Sequence, residues 1–320
     1  MSARYVGKKV LWALLTLFFV LSVNFFLFRV MPGDPVALLA RSQRLTPEAI
    51  EQQRLLFGLD QPLFQQYLTY LGQTFRLEFG ADLISGEPVW GKITSRMWPT
   101  VLLVGVGTSL AVIFGVLGGI KAGWNRGSRF DRNSTYGSLV LYATPEGWLG
   151  MLLLIVFAGT LGWFPAGGYA SPETSGMERV VDVANHLVLP ALTLALAYIG
   201  QFLLVMRSSL LDVKDEEYVD VARAKGLAEV QVRRKHAVPN AILPTYTLTV
   251  LSFGFVVGGA IVVEAIFSWP GIGLLTYEAI EQQNYPVLQA VFLIASFAVI
   301  VANLIADLTY TYLDPRIQEV

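Results

Sequence analysis

Long apolar runs separated by polar stretches divide the chain. The runs cover about Val10–Phe28, Thr100–Ile120, Ser138–Leu161, Leu187–Met206, Ala241–Val263 and Val287–Ala306, the last extending toward Tyr312. Each is close to the ~20 residues a helix needs to cross ~30 Å of hydrocarbon. None alternates with a period of two, which excludes a membrane barrel. The pattern predicts an all-α integral membrane protein with six transmembrane helices and no internal repeat. Three regions follow: residues 1–30 with the first span, a polar-mixed loop over 31–99, and a five-helix core over 100–320 that includes a charged loop over 207–240. Inside the 31–99 loop, Met31-Pro32-Gly33-Asp34-Pro35 is a sharp break. Thr46-Pro47-Glu48 has the N-cap, proline and acid of a helix start, and Gly58 ends that helix. Gln61–Phe79 predicts a second short helix.

Composition agrees with a polytopic membrane protein. The hydrophobic set takes 54% of 320 residues, the charged set only 15%, and mean hydropathy is +0.54, too oily for a soluble domain. A net charge of −1 offers no nucleic-acid footprint. Without cysteine there is neither a disulfide nor a thiolate metal site. Arg4, Lys8 and Lys9 before the first run suit a signal peptide, but no small-x-small cleavage site closes the run, so it reads as a retained span.

Charge orients the spans. Lys121, Arg126, Arg129 and Arg132 crowd the loop between spans two and three. Arg207, Lys214, Arg223, Lys225, Arg233, Arg234 and Lys235 crowd the loop between four and five. The alternate short loops carry Arg179 in one and no Lys or Arg from Glu264 to Pro286. The positive-inside rule then makes both termini and the 207–240 loop cytoplasmic and the 31–99 loop extracytoplasmic.

Within the cytoplasmic loop, Asp215–Pro239 is the longest strongly charged island between two oily spans. Tyr218, Val221, Ala222 and Lys225 recur at the spacing of one helical face. Ala222 and Ala224 favour helix with little bulk, and Gly226 stops it. A short helix results, clear of the membrane and able to enter a groove on another protein. The residues alone leave open an ordinary charged loop helix.

Asp220-Val221-Ala222-x-x-x-Gly226, followed by His236-Ala237-Val238-Pro239, resembles the EAA loop of the membrane subunits of type I ABC importers. Ala222, Gly226 and Pro239 match that pattern outright. Asp220 stands for its Glu, Val221 for its first Ala, His236 for its Ile and Val238 for its Leu. The wider segment Tyr218–Leu227 with Arg234-x-His236-Ala237 is similar to the oligopeptide, dipeptide and nickel branch. So are Met31-Pro32-Gly33-Asp34-Pro35, Gly58-Leu59-Asp60-Gln61-Pro62, Phe267–Leu275, Asn284-Tyr285-Pro286 and Asp307-x-x-Tyr310-x-x-Leu313-Asp314-Pro315-Arg316. The resemblance implies a permease subunit in the cell membrane that imports peptides, or oligosaccharides or nickel. It implies a second homologous permease as heterodimer partner, two ATPase chains that bind ATP and Mg, and an extracytoplasmic binding protein. It further implies that the Asp215–Gly226 helix docks on an ATPase through Glu217, Tyr218, Asp220, Val221, Ala222, Ala224, Lys225, Gly226 and Leu227, with His236 and Pro239 beside them.

Other features have plainer readings. Gly86-x-x-x-x-Gly91-Lys92 approaches a phosphate-binding loop, but Ile93 stands where Ser or Thr must reach the metal. With no other such motif, ATP hydrolysis belongs to partners, and the chain itself is no enzyme and holds no cofactor. Gly115, Gly119 and Gly123, and Gly254 and Gly258, repeat every four residues and let helices approach closely; packing within the chain is favoured over a subunit interface. Asn24, Gln201 and Asn303 are candidates for lining a translocation pathway. Glu264 and His186 at outer span ends, and Asp307 at an inner one, read as solvated interfacial groups, and Phe267–Leu275 as an aromatic turn at the membrane surface. His186 and His236 fall on opposite sides and share no metal. No nucleophile, paired carboxylate or metal cluster is offered, which disfavours an enzyme. The alternative from another class is an ion-coupled secondary transporter, against which stand the few intramembrane charges and the missing inverted repeat.

Overall fold

The computed structural model describes residues 3–30, 61–254 and 260–313. Among them the fold is all-helical, apart from an isolated bridge between Ala81 and Pro88. Helix α1 spans Ala3–Val30, α2 Leu63–Phe75 and α3 Val89–Trp124. Helix α4 spans Arg129–Ala143, and α5 spans Glu146–Leu153 and runs on as a wider π turn over Leu154–Thr160. Helix α6 is Gly176–Lys214, and α7 Glu217–Ala224. A turn of α8, Glu229–Gln231, continues through a π turn, Val232–Ala237, into α9, Val238–Ala241. Then follow α10, Leu243–Gly254, α11, Ile261–Ile266, α12, Ile272–Glu281, and α13, Tyr285–Leu313. The expected helix from Thr46 to Gly58, the Met31–Pro35 break, Gly258 and Asp314-Pro315-Arg316 lie outside the described residues.

Among the described residues, α1, α3, α6 and α13 are each long and apolar enough to cross a membrane, and α4 with α5 is so only as a pair, bent between them, which makes four candidate spans or five. Three expectations change. The second span starts at Val89, well before Thr100. Val89 and Ile93 are buried against Ile272, Leu275 and Val287, so packing carries the helix straight through Pro99 despite its missing N–H. The third, Ser138–Leu161, is not one straight rod: the chain turns by 100° between α4 and α5. Pro145 causes the turn. It forces Thr144 out of the helical region, to φ −87° and ψ 125°. The fifth run divides into α10 and α11, with 255–259 between them outside the described residues.

The centre of the bundle is the α3–α6 pair. Gly107, Ala111, Gly115, Gly119 and Gly123 lie four apart and so share one face of α3. A Cβ on Gly119 would lie 2.7 Å from both the Leu203 carbonyl oxygen and Met206 Cβ, and one on Gly115 would lie 2.9 Å from the Ile199 carbonyl oxygen. The two backbones are in direct contact, so the glycine stripe packs helices within the chain. Helix α13 lies antiparallel to α1: Lys9 pairs with Asp307 at 2.9 Å, and Phe28 meets Tyr285 and Phe292 at the other end. Gly254 of α10 packs on Ala302 of α13. Much of α1, including Leu11, Trp12, Phe18 and Phe19, is exposed, as an apolar rod facing lipid or a partner would be.

Candidate functional site

Helix α7 leaves α6 after only Asp215 and Glu216. Its first turn carries Glu217 and Asp220 and its last Arg223, each sign complementing the backbone dipole. Gly226, at φ +77°, takes the left-handed conformation that ends a helix and few other residues tolerate. Val219 and Ala222, three apart, are buried against Val232 and flanked by Val213 and Trp124. The opposite face is exposed: Glu217, Tyr218, Asp220, Val221, Ala224, Lys225, Gly226 and Leu227, with Pro239 on α9; His236 in the π turn is half-buried. Ala222 is therefore a correction. The expected face Tyr218, Val221, Ala222 and Lys225 is split, and Ala222, 5% exposed, packs α7 onto the bundle. The face that remains alternates apolar Tyr218, Val221, Leu227 and Val230 with charged Glu217, Asp220 and Lys225.

The supports of this face are polar and partly solvated. Arg223 donates to Asp220 at 2.9 Å and to Glu229 at 3.1 Å. Lys214 donates to the Trp124 carbonyl at 2.9 Å. Close by, Arg207 on α6 grips Asp131 on α4 through two hydrogen bonds, and the Gly127 N–H donates to the same carboxylate at 2.8 Å.

Further back along α3, around Pro99 and Thr100, the network is dry. Glu264, Phe267 and Trp269 are buried to within 1%. Thr100 Oγ1 donates to Glu264 Oε1 at 2.9 Å, the Leu274 N–H donates to Oε2 at 3.0 Å, and the Ile272 N–H donates to Thr100 Oγ1 at 2.7 Å. Trp269 Nε1 donates to the Pro99 carbonyl at 2.8 Å, and Gly168 N–H to the Phe267 carbonyl at 2.9 Å. Both expectations for this segment change: Glu264 is buried rather than solvated, and Trp269 is packed inside the chain rather than displayed on its surface. Each closes a junction of α3, α11 and α12. His186 is likewise largely buried, its Nδ1 2.9 Å from the Asp182 carbonyl oxygen, while Asp307 keeps about half its surface. Nearby, Asp82 accepts from Lys92 at 2.6 Å and from the Ile84 and Ser85 N–H groups. Burial pushes its carboxyl upward, but the Lys92 ammonium and the two amides outweigh this and hold it below the usual carboxylate range. Lys92 is thus held by a carboxylate rather than presented to phosphate.

The three pathway candidates are not gathered in one place. Asn24 is buried between α1 and α13 and donates to the Gln289 carbonyl at 3.0 Å. Gln201 is half-buried on α6. Asn303 is exposed and donates to Val299 in its own helix. An apolar cavity of about 830 Å³ between α1, α3, α10 and α13, lined by Leu21, Met97, Phe253, Leu293, Phe297 and Val301 among others, takes in none of the three.

Residues 111–319 match the family described as the inner membrane component of binding-protein-dependent transport systems, and residues 2–104 match its N-terminal part. The chain belongs to the binding-protein-dependent transport system inner membrane component family. It is similar along its length to the oligopeptide transport system permease protein AppB of Bacillus subtilis, 36% identical over 318 residues and 99% of each chain. It is also similar to the glutathione transport system permease protein GsiC of Escherichia coli, 38% identical over 315 residues, 98% of this chain and 99% of the relative.

Within this transport component the sequence missed the Glu264 junction and the packing of Trp124 against the buried side of α7. Glu264 and Thr100 lie 164 positions apart, and nothing local to either signals the other. The one available signal was Gly271 and Gly273. A Cβ on Gly273 would lie 2.9 Å from Glu264 Oε2, so the two glycines mark where backbone closes over the acid.

Proposed function

We propose that this chain is one of two homologous permease subunits of an ATP-driven peptide importer. The observation that carries the reading is the exposed face of α7, a helix of eight residues between two spans that is seated on the bundle by Val219 and Ala222. In this reading six helices cross the membrane, with α4–α5 as the third crossing and α10 with α11 in the fifth. Both termini and α7 are cytoplasmic, as the loop charges require. Two ATPase chains bind ATP and Mg and receive α7 in a groove, against Glu217, Tyr218, Asp220, Val221, Ala224, Lys225, Gly226 and Leu227, with Pro239 and His236 at the margin. An extracytoplasmic binding protein delivers substrate at the Glu264 end. Peptides are favoured as substrate because two full-length relatives carry oligopeptide and glutathione permease names. Asn24, Gln201 and Asn303 stay the pathway candidates.

Transport follows by alternating access. ATP draws the ATPases together, α7 moves with them, and the bundle passes from one opening to the other. ATP must favour one state over the other, since a ligand binding both equally shifts nothing. Val221→Arg tests the reading, because Val221 is exposed and its loss leaves the fold intact. We expect peptide uptake to fall roughly tenfold, the effect of ~1.4 kcal/mol lost at a docking surface, in protein that still purifies folded. Wild-type uptake by this variant overturns the docking assignment. Purifying the native complex through this chain and weighing it reads the subunit count directly.

A further inference from the structure

Trp124 is the last residue of α3, at the point where α3, α6 and α7 converge. It is half-buried and packs on two clusters. One is Val219, Ala222 and Val232 under α7; the other is Met206, Leu210, Ala237 and Ala241 between α6 and α9. Its ring also receives two cations. Lys214 Nζ, from the end of α6, lies 5.3 Å from the ring centroid, and the Arg223 guanidinium, from α7, lies 5.9 Å away. Both fall within the ~6 Å reach of a cation over an indole face. Lys214 also donates to the Trp124 carbonyl at 2.9 Å, and Arg223 is tied to Asp220 of α7 and to Glu229 beyond it.

Along the chain α7 leads back to α6 and onward through α8 to α9 and α10, and neither neighbour in sequence is α3. Trp124 supplies the route to α3, through a ring held by apolar contact and by charge together. An aliphatic side chain in its place would keep the apolar half of this joint and lose the other.

We propose that Trp124 is a positioning residue for transport: its indole face passes the displacement of α7 to α3. This rests on the docking reading of α7. The whole importer, with its second permease, ATPases and binding protein, is to be reconstituted in liposomes, and the ratio of labelled short-peptide uptake to ATP hydrolysed measured. Trp124→Phe keeps a ring face, while Trp124→Leu keeps comparable apolar bulk without one. We expect Trp124→Phe to stay near the wild-type ratio. Trp124→Leu should lower it about fivefold, the lower end of the range for coupling between distant sites, with the ATPases still attached. A wild-type ratio in Trp124→Leu, or an equal loss in both variants, overturns the proposal. Should Trp124→Leu fail to assemble, Lys214→Met is read instead: a fall of a few-fold supports the joint and a wild-type ratio overturns it. Val221→Arg in the same preparation separates the two ideas. Its failure to alter uptake removes the docking reading; a loss there with a normal Trp124→Leu removes the joint alone.

Discussion

Two stations on α3, one about a third of the way along at Thr100 and one at its last residue, Trp124, solve opposite problems. Near Thr100, polar groups are sealed from solvent and each is met: Glu264 by a hydroxyl and an amide, Thr100 by the Ile272 N–H, Trp269 by the Pro99 carbonyl. At Trp124, about 36 Å further along the helix at ~1.5 Å per residue, charges sit over a half-covered ring and on solvated ion pairs. A dry, fully paired network has one good arrangement and a high cost for any other. A wet one exchanges partners with water at little cost. The contrast assigns fixity to one station on the helix and adjustability to the other.

The largest expected effect lies at the dry station. Glu264→Ala strands the Thr100 hydroxyl and the Leu274 N–H without acceptors, and each buried orphan costs ~1–3 kcal/mol. Thermal unfolding of the solubilised protein should show a loss of about 3 kcal/mol or more, with Glu264→Gln milder because one oxygen remains. A mild Glu264→Ala would break the contrast. Next is the shaft between the stations. Gly119→Leu drives a side chain into the Leu203 carbonyl and Met206; a loss of ~1–3 kcal/mol is expected, against none for Gly105→Ala, where a Cβ meets open space. Asp82 sharpens the picture through pH. Its carboxyl is held below its unfolded value of about 3.9. The stability it contributes is therefore complete above that pH and is lost as pH falls through the lower folded value. Asp82→Asn should weaken the protein at neutral pH and flatten its acid limb in a denaturation series. The smallest effect belongs to the wet station: Arg223→Gln removes two exposed ion pairs and should cost only ~0.2–1 kcal/mol in unfolding. A cost as large as that of Glu264→Ala would erase the distinction between the stations.

Hydropathy alone locates α1, α3, α6 and α13, because a long apolar run has few other uses. It fails where one residue outweighs a window average. Pro145 bends the third run, yet the apolar residues on both sides smooth it over. Val89 and Ile93 extend α3 because residues almost two hundred positions later cover them. The helix at α7 is legible from its acids, alanines and Gly226; its inward face is not. Ala222 shares a stripe with Tyr218 and Val221 on paper, but Val232 and Trp124 decide which way that stripe turns, and helical spacing carries no knowledge of them. Glu264 misleads most simply: an acid at the end of an oily run suggests water, whereas here its acceptors are matched to donors from α3 and α12.

The glycine stripe has a mechanical consequence. Two rods laid side by side bend as two rods, but two rods glued along their length bend as one beam of greater depth and far greater stiffness. Gly107, Gly115, Gly119 and Gly123 bring the backbones of α3 and α6 into such a bond over several turns. A push at one tip of this laminate is delivered to the other as tilt, with little absorbed as curvature along the way.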